Sequence, residues 1–155
     1  MEKLVNMDMF MKIKLISLPL FIILGLSACA TSDTKSTLYD DLGGKAGITR
    51  IADNFLYQIS EDEVVLPQFA KTDIERFHAM IIEHFSQISG GPVEYTGDNM
   101  VEVHKKMNIT PAQFNSIVED LVVAMEDAGT PVSAQNRLLE LLALLYNDII
   151  GDDFK

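Results

Sequence analysis

The chain has 155 residues, enough for one domain with a modest core, and carries a formal net charge of −11 at pH 7 from 23 acidic and 12 basic residues. Such a surface repels phosphates, and no basic patch with interleaved aromatics occurs, which argues against nucleic acid as a partner. With one cysteine, neither an intrachain disulfide nor a CxxC redox pair can form, and no phosphate loop, Ser-His-Asp set or pair of catalytic carboxylates is apparent.

In chain order, the first predicted element is a leader. Lys12 and Lys14 precede an apolar run from Leu15 to Leu26, followed by Ser27, Ala28 and Cys29. A basic segment, a short apolar segment and small residues before a cut describe a secretory signal peptide, and the run is too short to span a bilayer comfortably. Leu26-Ser27-Ala28-Cys29 resembles the bacterial lipobox, which implies cleavage after residue 28 and lipidation of Cys29. Met11 gives the more typical start for such a leader, and Ala30 after the cysteine implies the outer membrane under enterobacterial-type sorting. The expected organisation is a lipoprotein signal peptide over 1–28, a small polar lipidated tether over 29–36 and a folded domain over 37–155, facing the periplasm or the cell surface. Attachment to the membrane then comes from acyl chains, each buried methylene contributing about 0.8 kcal/mol.

Helical periodicity runs through the remainder. After a short turn near Thr37 to Leu42, the residues Ile48, Ile51, Ala52, Phe55, Leu56 and Ile59 form an amphipathic stripe. A second stripe of Ile74, Phe77, Ile81, Phe85 and Ile88 lies between Asp73, placed as N-cap, and Ser89. Gly90 and Gly91 end that helix and Pro92 blocks its continuation. Met100, Val103, His104 and Met107 then recur at i, i+3, i+4, i+7, so His104 points inward with apolar neighbours. Read from its spacing alone, that imidazole is either a core histidine bonded to a carbonyl or a metal ligand. Thr110-Pro111-Ala112-Gln113 combines an N-cap, a first-turn proline and a capping-box glutamine ahead of Phe114, Ile117, Val118, Leu121, Val122 and Met125. Thr130-Pro131 opens the last helix in the same way, Leu138, Leu141, Leu142, Leu145 and Ile149 supply its buried face, and Gly151 fits its C-terminal cap. No alternating strand pattern of useful length appears, so the fold class is all-α.

The run Gly90-Gly91-Pro92-Val93-Glu94-Tyr95-Thr96-Gly97-Asp98-Asn99-Met100-Val101-Glu102-Val103-His104, together with Leu38-Tyr39-Asp40-Asp41-Leu42-Gly43-Gly44 and Leu66-Pro67-Gln68-Phe69, resembles the group I truncated haemoglobins from about Leu38 to Ile150. That resemblance implies helices packed two over two around haem b, with His104 as the proximal iron ligand and a diatomic gas on the opposite side. The second ring nitrogen of His104 then needs an acceptor, expected to be a backbone carbonyl. Phe69 matches the aromatic that packs on the porphyrin and Phe55 a pocket-wall aromatic, although both also read as core phenylalanines. Arg76 and Tyr95 match positions that meet the haem propionates, with a solvated Arg76 as the plainer alternative.

The chain departs from the family on the distal side. Counting without gaps places Leu56 where many relatives carry an oxygen-binding tyrosine, and Phe77 and Ile81 at the other main distal positions, often polar elsewhere. An apolar trio leaves bound dioxygen without a hydrogen-bond donor, a loss on the order of 1 kcal/mol. Weak oxygen retention is expected, which also weakens nitric oxide dioxygenation, a reaction that needs in addition a reductase as partner. Tyr57 is expected off the haem-facing stripe, His78 beside it, and His84 at its edge further from the iron, with solvated or peripheral histidines as the favoured reading of both. Met80 stands where some relatives have a sixth iron ligand, so two alternatives stay open: a six-coordinate electron-transfer or haem-handling protein, and a haem-free helical interaction module.

Overall fold

The computed structural model describes Ser36–Lys155; the leader, Cys29 and all but the last residue of the tether lie outside the described residues. Among the described residues the structure is helical, with no strand beyond an isolated parallel bridge between Ile109 and Ile150. It runs α1 (Leu38–Asp41), α2 (Gly44–Glu61), a 3-10 turn (Leu66–Phe69), α3 (Ile74–Ile88), α4 (Met100–His104), α5 (Pro111–Asp127), α6 (Val132–Ala143), α7 (Tyr146–Ile149) and a closing 3-10 turn (Asp152–Phe154).

The starts follow from caps. The Thr37 hydroxyl accepts from the Asp40 amide at 3.1 Å while the Asp40 carboxylate accepts from the Thr37 amide at 3.1 Å, so even the four-residue α1 carries a reciprocal capping box. Asp73 caps α3 by accepting from the Arg76 amide, and Thr110 and Gln113 form the expected box on α5. The stop of α3 is a Schellman motif: Gly90 lies at φ +86°, its amide reaches the Gln87 carbonyl, and the Gly91 amide reaches Ser86 at 2.8 Å.

Two expectations at the C-terminal end fail for local reasons. Pro131 is extended (φ −58°, ψ 137°) and is itself the N-cap of α6, so the helix starts at Val132 and Thr130 instead offers its carbonyl to the Gln135 side chain at 2.8 Å. Gly151 sits at φ −60°, so it is no left-handed cap. Its amide donates to the Ile109 carbonyl at 2.9 Å and extends the bridge that pins the chain end beside the loop after α4.

α2 is the central helix, packed on α3 along one side and α5 along another, with α1 bridging α2 and α6. Ile48 and Ile51 of α2, Met125 of α5 and Leu138 of α6 are fully buried and form the dry centre of the core. An Arg137–Asp41 ion pair at 2.5 Å ties α6 to α1. Ile74 leaves its predicted stripe: in the first turn of α3 it is 47% exposed.

At the C-terminus of α2, Asp62 accepts from Ser116 of α5 and from the Val64 amide, which hold its carboxyl below the usual range. Asp120, one turn further along α5, is shielded beside it, and burial with the neighbouring Asp62 charge pushes its pKa up to about 6. A raised acid pKa means that the folded state prefers the proton. The contribution of Asp120 is therefore fully present below about 3.8 and lost as pH rises through about 6. Asp120→Asn keeps a donor for Asp62 and removes the charge. The variant is expected to be more stable than the parent above pH 6, by on the order of 1 kcal/mol after solvent screening, with the difference closing below pH 4; urea midpoints across that range check it.

Candidate functional site

Below the dry core, α3, α4, α5 and the inner face of α2 enclose a mainly apolar cavity of about 600 Å³. This lies within the range of small-molecule and cofactor sites. Its walls explain why Phe114, Ile117 and Val118 of α5 are half-buried although they continue the stripe of Leu121 and Met125: they face the cavity rather than another helix.

One wall is α4, five residues long and too short to be stable alone. It is positioned from outside. Asn99 caps it by accepting from the Glu102 amide at 3.0 Å. The preceding loop is fastened to α3, where Gln87 accepts from the Tyr95 amide at 2.9 Å and Glu83 accepts from both the amide and the hydroxyl of Thr96. Those two bonds hold the Glu83 carboxyl below its ordinary range. The Tyr95 ring folds over Gly97, where a side chain would collide with the phenol. A larger residue at Gly97 would push the Tyr95 ring aside.

His104 lines the cavity, and its Nδ1 lies 2.8 Å from the Met100 carbonyl oxygen. A carbonyl only accepts, so Nδ1 carries the proton and Nε2 keeps its lone pair. Burial pushes the imidazole pKa down, against a smaller opposing effect of the Met100 bond, and keeps the ring neutral. A neutral imidazole fixed in one tautomer by a carbonyl has the chemistry of a metal ligand.

Phe55, Phe69, Phe77, Ile81, Arg76 and Tyr95 line the same cavity as His104. Leu56 does not. It lines a separate shallow crevice with Ile59 and Ile74, because one residue along a helix turns about 100° and Phe55 takes the inward direction. Phe69 and Phe77, with ring centroids 5.0 Å apart, stand between the two spaces. Tyr57 is 62% exposed. His78 is outside the cavity and pairs with Asp53 of α2 at 2.8 Å, whereas His84 and Met80 both line it. Tyr95 differs from the expectation: its hydroxyl donates to the Asp98 carbonyl at 3.0 Å, an internal bond. Burial raises its pKa, with Asp98 and Glu83 adding to the effect and Arg76 opposing it. Val65 and Gln113 also reach the cavity. Val65 stands in a loop, where no periodicity could flag it, and Gln113 was legible only as a cap.

A family model described as bacterial-like globin matches residues 37–150. The group 1 truncated haemoglobin of Nostoc sp. (strain MUN 8820) is 34% identical over 116 residues, 75% of this chain and 98% of that protein. That of Tetrahymena pyriformis is 28% identical over 115 residues, 74% of this chain and 95% of its own length. The crystal structure of the Tetrahymena pyriformis truncated haemoglobin in its Fe(III) form superposes with a TM-score of 0.72 at 27% identity, covering 76% of this chain and all of that one. The capped helices, the short α4 and the cavity facing His104 thus belong to a globin, and the chain is a member of the bacterial-like globin family, similar over nearly its whole folded part to the group 1 truncated haemoglobins.

Proposed function

We propose that this globin holds haem b in the cavity through His104 and reversibly binds a diatomic gas, oxygen, nitric oxide or carbon monoxide, on the opposite side. The observation that carries this reading is the neutral, tautomer-fixed imidazole of His104 on the wall of an apolar cavity of about 600 Å³. The donor set fits the group: one nitrogen base, apolar and aromatic walls for the macrocycle, and Arg76 to pair with a propionate. The iron would supply the coordination position for the gas. The chain's own contribution is to orient the imidazole through Met100, exclude water with Phe55, Phe69, Phe77 and Ile81, and leave the ligand without a donor from those side chains.

Apolar distal walls favour fast oxygen release, which counts against nitric oxide dioxygenation as the main activity. A leader cut before Cys29 supports a lipid-anchored role in the cell envelope, where sensing or scavenging of nitric oxide suits a tethered domain and a reductase is a candidate partner. Met80, on the cavity wall, supports a second reading as a six-coordinate electron-transfer protein.

Absorption spectra of the haem-reconstituted protein separate the readings. A five-coordinate ferrous form that binds carbon monoxide is expected, lost in His104→Gly and restored by added imidazole. A six-coordinate ferrous form that becomes five-coordinate in Met80→Ala would favour electron transfer, and absence of stoichiometric haem would favour an interaction module. Phe77→Gln adds a donor to the distal wall and is expected to slow oxygen dissociation about fivefold, the factor corresponding to about 1 kcal/mol, in a stopped-flow displacement by carbon monoxide.

A further inference from the structure

Arg76, Met80 and His84 recur at i, i+4 and i+8 on α3, and all three line the cavity. Tyr95 lies against the same stripe. Its ring centroid is 5.2 Å from that of His84, and its phenol feels the charge of Arg76. The two basic side chains therefore border one edge of the cavity, about 12 Å apart along the helix at 1.5 Å per residue.

Haem brings two carboxylates to such an edge, and the cavity is already acidic: Asp73, Asp98 and Glu102 line it. Among the described residues that line the cavity, Arg76 is the one permanent cation. A second carboxylate needs another donor, and most polar groups near Tyr95 are engaged. The Tyr95 hydroxyl donates to Asp98, Gln87 accepts from the Tyr95 amide, and Glu83 accepts from Thr96. His84 stands apart. Its ring is half-buried, with the rings of Phe85 and Tyr95 centred 6.2 Å and 5.2 Å away, and among the described residues no hydrogen bond to it occurs. Burial lowers its pKa, so the ring is neutral and still keeps one N–H to donate.

We propose that His84 is a haem-positioning residue, donating its ring N–H to one propionate while Arg76 pairs with the other. The assignment rests on the haem reading of the cavity. Of the two sequence readings of His84, solvated or at the edge of the stripe, the structure bears out the second: the side chain stands on the cavity wall. The gain is retention of the cofactor in a cavity whose own carboxylates repel it.

The test is the rate of haem loss from the full-length chain to an excess of a haem-free acceptor globin. It is run with haem and with its dimethyl ester, in which both propionates are masked. With haem, His84→Phe is expected to speed loss about tenfold, the scale of one hydrogen bond to a charged acceptor, while His84→Gln, which keeps an N–H, stays nearer the parent. With the ester, parent and His84→Phe are expected to lose the group at the same rate. Equal haem loss by parent and His84→Phe would overturn the assignment, and so would an acceleration of the same size with the ester, which marks packing alone. Failure of the parent to take up haem at all would remove the haem reading itself. A normal parent spectrum with a silent His84→Phe removes only the propionate contact.

Discussion

One hydrogen bond, from His104 Nδ1 to the Met100 carbonyl, decides what the cavity can do. It fixes the proton on one ring nitrogen and leaves the other as a base. The bond closes within a helix of five residues, and that helix has no independent stability. Everything around it compensates. Asn99 sets its start, Glu83 and Gln87 anchor the loop before it, and the Ile109–Ile150 bridge with the Gly151 amide ties down the chain after it. α7, four residues long, packs against α4 from the C-terminal side. Both ends of the domain's second half therefore converge on placing one imidazole.

This arrangement divides the molecule. Where α1, α2, α5 and α6 meet, Ile48, Ile51, Met125 and Leu138 are fully buried and side chains interlock as in an ordinary helical core. Where α3, α4 and the first half of α5 meet, Phe77, Met80, Phe114, Ile117 and Val118 face a cavity and stay half-buried. α5 crosses the boundary, so its N-terminal half serves the site and its C-terminal half serves the fold. The Asp62–Ser116–Asp120 cluster lies along this same helix, at the end of α2. Its raised carboxyl costs stability near neutral pH at a place where α2 must be fixed for Phe55 to face inward.

The helices and most of their starts were legible because each rests on a short-range signal: Asp73 and Thr110 are caps whose partners lie three residues on, and Gly90 needs only its positive φ. The same property made His104 legible, since its acceptor is four residues back. What the sequence concealed depends on distant contacts. Gly151 reads as a helix cap but is recruited by Ile109, 42 residues earlier, and the last helix breaks after Ala143 to allow it. Leu56 reads as distal by counting, yet the rotation of α2, held by its packing on α3 and α5, turns Phe55 to the cavity and Leu56 to the separate crevice. His84 was legible only in part. Helical spacing puts it at the edge of the stripe, but its neighbour Tyr95, eleven residues on, shows only in the folded chain.

α3 combines two tasks by a small rotation. Phe77, Ile81 and Phe85 present an apolar stripe to the cavity, and Arg76, Met80 and His84, each one residue earlier, line it beside that stripe. Because successive residues differ by about 100°, a helix cannot turn one stripe inward without setting the other beside it. The two stripes nevertheless answer to different chemistry. On the haem reading proposed above, donors added to the first would act on ligand release, and donors removed from the second on cofactor retention. Phe77 and His84 are separated by nearly two turns, a distance at which effects usually add. On that proposed reading, gas affinity and haem affinity would change independently on this one helix, so weak oxygen retention at the first stripe would be compatible with firm hold on the cofactor at the second.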